Sequence, residues 1–170
     1  AYVTMAFRIA WFKVHIPMAY YTAYFSIRAD AFDSEIMIHG KEKVLNKMRE
    51  IDAQGNAATQ KDKDMYQTLE IVLEMYERGL QFLPIDLYES DATKFLMTEE
   101  GIRPPLNSIA GLGNVASLNI QNAIRKEGKF MSVEEMKIRA GIGKASIELL
   151  QNAGCLQGMT LSNQMSLFTL

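Results

Sequence analysis

A chain of 170 residues, 48% hydrophobic and 22% charged, has ordinary globular composition and length enough for one or two cores. Its single cysteine, Cys155, excludes an internal disulfide and points to a reducing compartment, the cytoplasm. His15 and His39 stand alone, so no zinc site is indicated, and a net charge of −2 argues against a uniformly basic nucleic-acid binder.

In chain order, Ala1 to Ile16 has helix composition, Pro17 ends or kinks it, and Met18 to Arg28 forms a second helix. The length is tempting for a membrane span, but Arg8, Lys13 and the proline make that costly, and a signal peptide would carry its charge ahead of the apolar core. A buried helix pair is the expectation. Arg8 and Lys13 then either snorkel to the surface or are held beside an apolar core for a purpose. Lys41 to Asp52 reads as a helix with Val44, Leu45, Met48 and Ile51 on one face. Lys61 to Arg78 is the clearest helix, striped by Met65, Leu69, Val72, Leu73 and Tyr76, with Gly79 at its end. Asp62 and Asp64 lie in a Lys-Asp-Lys-Asp run, most simply a solvated helix start. Gln81 to Leu87 alternates in part, with Pro84 suited to an edge strand, and Lys94 to Ile102 suggests a small hairpin. Ser132-Val-Glu-Glu135 has capping-box spacing.

One pattern occurs twice. Ile109-Ala-Gly111-Leu112-Gly113-Asn114 and Arg139-Ala-Gly141-Ile-Gly143-Lys144 place their glycines 30 residues apart. Glycines permit φ > 0 and remove Cβ, so backbone N–H groups at the start of the next helix can cradle a phosphate. The pair resembles tandem helix-hairpin-helix motifs, which grip DNA through its backbone. Arg139 stands where a hydrophobic residue is usual, so the first copy reads as the firmer fold element, while Lys144 suits a phosphate. Residues 103–160 hold seven Lys and Arg against four Asp and Glu, and residues 1–102 hold 11 against 16, so the basic excess falls on the hairpin segment.

The C-terminal Gln164-Met165-Ser166-Leu167-Phe168 resembles the peptide by which bacterial replication proteins bind the sliding clamp. Gln164 would take a polar subsite and Leu167-Phe168 an apolar one.

The order of Ala1 to Pro17, Ala19 to Phe25, Ile27-Arg-Ala29, Pro84 to Tyr88, Ile102 to Pro105 and Gly111-Leu-Gly113 resembles bacterial C-family replicative polymerases of the PolC type from end to end. The resemblance implies a mainly α fold with a small β element: a helical end of the fingers over 1–78, a duplex-binding domain with tandem hairpins over 79–158, and a flexible clamp-binding tail over 159–170. It implies DNA contacts at Gly111, Leu112, Gly113, Asn114, Gly141, Gly143 and Lys144, nucleotide or template contacts at Arg8 and Lys13, and clamp contacts at Gln164, Leu167 and Phe168. The expected partners are primer–template duplex, the sliding clamp and the rest of the polymerase chain, without a membrane. The catalytic carboxylates and their Mg2+ are expected in a palm upstream of residue 1, from which this chain is read as a fragment. No cofactor is expected in the chain itself, though a hairpin is a candidate seat for a monovalent cation. Two alternatives stay open: a helix-hairpin-helix module of a repair nuclease, and a helical protein-interaction domain.

Overall fold

The computed structural model describes residues 1–162, arranged as two units. The first comprises Ala1–Pro84 and Lys94–Pro104, the second Ile85–Thr93 and the chain from Pro105 on. The chain passes between them after residues 84, 93 and 104. The return of residues 94–104 to the first unit has a packing cause. Phe82 and Phe95 join Phe25 and Phe32 in one aromatic cluster, with ring centroids 4.9–6.1 Å apart. Each such ring, fully enclosed, contributes about 1.5–3 kcal/mol.

The first unit is helical: α1 (Tyr2–His15), α2 (Pro17–Ile27), α3 (Ser34–Met37), α4 (Lys41–Gln54) and α5 (Gln60–Glu77). Pro17 sits in the first turn of α2, where its missing N–H is harmless. The predicted faces of α4 and α5 meet: Val44 and Ile51 are buried on one, Leu69, Val72 and Met75 on the other. Thr59 and Asp62 cap α5 reciprocally, and Gly79 closes it with Schellman bonds, Gly79 N to Tyr76 O and Leu80 N to Met75 O. The hairpin appears as β1 (Leu96–Met97) paired antiparallel with β2 (Ile102–Arg103). The strand expected over 81–87 reduces to a single parallel bridge, Phe82 to Ile102.

The buried helix pair is half right. α2 buries Tyr21 and Phe25, but α1 buries nothing. Tyr2, Val3, Phe7 and Val14 are 65–88% exposed. A helix apolar on every side is suited to being enclosed on every side, whereas α1 packs mainly on α2 and is tied to the end of α5.

The second unit holds α6 (Asn114–Glu127), α7 (Val133–Ala140) and α8 (Lys144–Asn152), preceded by a 3-10 turn at Leu106–Ser108. Residues 85–93 strap onto it. Leu106 N and Asn107 N donate to Asp91 O and Ala92 O, at 2.9 and 3.1 Å, and Gln121 Nε2 donates to Asp91 Oδ2 at 2.8 Å. Ser132 caps α7 at Glu135 N, 3.1 Å, as its spacing predicts. Residues expected to root a flexible tail are instead pinned there. Val133 N donates to Thr160 O at 2.9 Å, Glu134 N to Leu161 O at 3.1 Å, and Thr160 Oγ1 to Met131 O at 3.1 Å. The reason is local: the first amides of a helix lack intrahelical acceptors, and this segment supplies them.

Candidate nucleic-acid interface

The two Gly-hydrophobic-Gly turns adopt the same conformation. The first glycine of each is left-handed, Gly111 at φ 86° and Gly141 at φ 61°, which a Cβ would strain. The second is extended, Gly113 at φ −67°, ψ 163° and Gly143 at φ −81°, ψ 170°. Between them the hydrophobe turns inward: Leu112 is 2% and Ile142 6% exposed. The hydrophobe anchors the turn, and the glycines face solvent.

The second glycine is the informative one. Its backbone angles suit any residue, and a Cβ built on Gly113 or Gly143 meets no atom within 4 Å. Neither conformation nor packing among the described residues calls for glycine there. Each is the N-cap of a helix that no side chain caps, and its carbonyl accepts the first helical bond, from Ser117 N in α6 and from Ile147 N in α8. α3, α5 and α7 are capped by Asp33, Thr59 and Ser132; α1, α2 and α4 also lack a side-chain cap. A bare helix start presents N–H groups and the positive end of the helix dipole.

The candidate residues divide accordingly. Gly113, Asn114, Gly143 and Lys144 are exposed at the two helix starts, and Gly111 and Gly141 shape the turns. The Leu112 side chain is buried and its amide donates to Ile109 O at 3.0 Å, so in this turn it serves as the inward anchor. Asn114 Oδ1 accepts from Asn107 Nδ2 at 2.8 Å, a partner the sequence did not single out. Lys144 is 87% exposed and 3.6 Å from Glu148, its i,i+4 neighbour.

Arg139 reverses the ranking of the hairpins. The second is the complete one, helix–turn–helix from α7 to α8, whereas only the 3-10 turn precedes Gly111. The Arg139 side chain is 10% exposed and takes the hydrophobic slot by lying 4.6 Å over the Phe130 ring. Its Nη2 donates at 2.9 Å to both Ala123 O and Gly128 O, and its Nη1 donates to Glu135 Oε1 at 3.0 Å. Its Nε lies 3.2 Å from Glu127 Oε2 but outside hydrogen-bonding geometry, and is the one buried polar side-chain atom among the described residues left without a hydrogen bond. Arg139 thus finishes the C-terminus of α6 and is withdrawn from any phosphate. The basic excess is corrected with it. Residues 85–93 bring Asp86, Glu89 and Asp91 into this unit while Arg103 belongs to the other, leaving six Lys and Arg against seven Asp and Glu.

In the first unit, Arg8 is exposed on α1, and Lys13 Nζ donates to Glu74 Oε2 at 2.8 Å. Asp62 belongs to the cap of α5, and Asp64 Oδ1 accepts from Gln60 Nε2 at 3.0 Å, so the two do not form a carboxylate pair. Among the described residues no three His, Cys, Asp or Glu stand together as a metal site. No described helix is long and apolar enough to cross a membrane. Gln164, Leu167 and Phe168 lie outside the described residues.

Residues 79–165, just over half of the chain, match the family described as "Helix-hairpin-helix motif". The chain belongs to the helix-hairpin-helix family. Beyond the helix-hairpin-helix segment, similarity runs through the whole sequence. It is 51% identical over 168 residues to DNA polymerase III PolC-type of Caldanaerobacter subterraneus subsp. tengcongensis, 50% to that of Clostridium perfringens and 47% to that of Bacillus subtilis. Each match covers 99% of this chain and 12% of the relative. The chain therefore matches a PolC segment, with the helix-hairpin-helix unit in its second half.

Proposed function

We propose that this chain is the C-terminal part of a PolC-type replicative polymerase, that it holds the primer–template duplex through backbone phosphates, and that its tail tethers the enzyme to the sliding clamp. The supporting observation is the repeated turn. Two glycines that nothing among the described residues requires, Gly113 and Gly143, each open a helix that no side chain caps. Amides and lysines at such a place read phosphate and not base edges, so binding has little sequence preference. α1, with Arg8 and Lys13, faces the incoming nucleotide or template. Catalysis belongs to carboxylates outside this chain, a monovalent cation at a hairpin remains a candidate ligand, and the enzyme works in the cytoplasm.

Duplex titration tests the first half: the Gly113→Val/Gly143→Val pair, folded by circular dichroism, loses at least tenfold in affinity. Equal affinity of pair and wild type refutes the hairpin reading. For the tail, alanine at Leu167 and Phe168 abolishes clamp binding and spares duplex binding, because the two side chains carry most of the buried apolar area; clamp binding retained by that double variant refutes the tether. The interaction-domain reading gains one observation, the near balance of charge in the hairpin unit. Binding that ignores duplex DNA at low salt would favour it.

A further inference from the structure

Lys13 is the least exposed residue of α1. It is gripped at both ends. Its ammonium donates to Glu74 Oε2 at 2.8 Å and lies 5.3 Å from the Tyr20 ring centroid. Its backbone carbonyl, in the last turn of α1 where carbonyls lack helical partners, accepts from Arg78 Nη1 at 2.6 Å. Glu74 Oε1 in turn accepts from Tyr21 OH at 2.8 Å, with Arg78 Nε 3.4 Å away. Glu74 and Arg78 are i,i+4 neighbours on the last turns of α5, so one helix end grips one residue of another.

Beyond Lys13 the chain turns at Ile16, φ −134° and ψ 62°, before Pro17. That joint separates α1 from α2. Ile9 and Phe12 of α1 and Ala19, Tyr20 and Tyr24 of α2 line an open apolar cleft of about 430 Å³, which leaves α1 room to swing. A helix that buries none of its residues is poorly fixed by packing.

We propose that Glu74 is a positioning residue: by holding Lys13 it sets the angle of α1, and with it the place of Arg8 five residues earlier. The placement of a nucleotide beside Arg8 rests on the reading of α1 given above; the latch itself rests on the geometry. The arrangement also gives Lys13 a second task. A lysine engaged by Glu74 serves the helix, leaving Arg8 as the exposed cation of α1.

Two measurements separate the parts. In the full-length polymerase, Glu74→Ala raises the nucleotide KM at least fivefold with duplex affinity unchanged, and Glu74→Gln, whose one amide oxygen still accepts from Lys13 while its NH2 donates to the Tyr21 hydroxyl, recovers at least half of the loss. Arg8→Ala raises the same KM. In the 170-residue chain Trp11 is the sole tryptophan and lies on α1, so its time-resolved anisotropy reports the freedom of that helix. Glu74→Ala, and Arg78→Ala should the first variant lose its helical dichroism, give Trp11 a faster and larger-amplitude decay. Unchanged anisotropy overturns the latch. A KM moved by Arg8→Ala but not by Glu74→Ala overturns the positioning role. Loosened Trp11 with both KM values unmoved overturns the nucleotide-facing reading and leaves the latch standing.

Discussion

At the scale of single residues, the two glycines of each turn do different work, and substitution separates them. Gly111 combines φ 86° with Leu149 Cδ1 3.2 Å from where a Cβ would stand. Gly111→Val should therefore destabilise the second unit, by roughly 1–3 kcal/mol on thermal melting. Gly143→Val meets open space at an ordinary φ and should cost no more than about 1 kcal/mol, the ordinary loss for a branched residue at an N-cap, while losing duplex affinity. Equal melting losses in the two variants would place both glycines in the fold and neither at the interface. The repeat itself was plain in the sequence. The asymmetry within each turn was not, because a Gly-hydrophobic-Gly string does not say which glycine takes the positive φ, nor that Leu112 points inward. Lys13 was equally ambiguous, since its partner Glu74 lies 61 residues away.

At the scale of elements, helix ends explain more than helix middles. The stripes of α4 and α5 and the caps at Ser132 and Gly79 follow from periodicity and local spacing, which sequence carries directly. Arg139 could be recognised as out of place but not as the group that finishes α6, because Ala123 and Gly128 offer backbone carbonyls, and a carbonyl leaves no mark on a sequence. Arg139→Met, which keeps much of the packing on Phe130, should cost roughly 2–3 kcal/mol on chemical denaturation; a loss under 0.5 kcal/mol would show that water replaces the guanidinium. Glu74 supplies a pH signature for the α1–α5 contact. Burial pushes its carboxyl up, but hydrogen bonds from Lys13 and Tyr21 outweigh that and hold its pKa below the usual 4.5. A carboxyl with a lowered folded pKa contributes stability above its unfolded pKa and loses it as pH falls through the folded one. Stability of the first unit should therefore fall as pH drops below about 4.5, and Glu74→Gln should flatten that decline. An unchanged pH profile in the variant would mean the contact is not felt in folding.

At the scale of the whole molecule, charge is sorted by unit and not by stretch of sequence. Residues 85–93 carry three carboxylates into the hairpin unit across an intervening hairpin that belongs elsewhere. A linear charge count has no access to that exchange, which is why the basic excess disappeared. With Arg139 engaged and the unit near neutrality, Arg125, Lys126, Lys129, Lys137 and Lys144 remain as exposed cations. Binding that leans on amides and about three of these five cations should weaken with salt at a log–log slope of roughly −2 to −3. A slope near zero would remove phosphate from the account, and one near −6 would require cations from outside this unit.

The pinning of Thr160 and Leu161 to the start of α7 turns a question of affinity into one of reach. Six peptide units separate Ser162 from Phe168, so the last anchor can lie at most about 20 Å from the hairpin unit. If the tail is the proposed tether, whatever grips Phe168 is on a short leash, confined to a small sphere centred on a fixed point, at a local concentration of at least millimolar order. Length, more than sequence, then governs the geometry of the assembly. Glycine-serine insertions after Ser162 would widen the sphere and dilute the anchor without touching a single contact, and a deletion of two or three residues would pull it out of range.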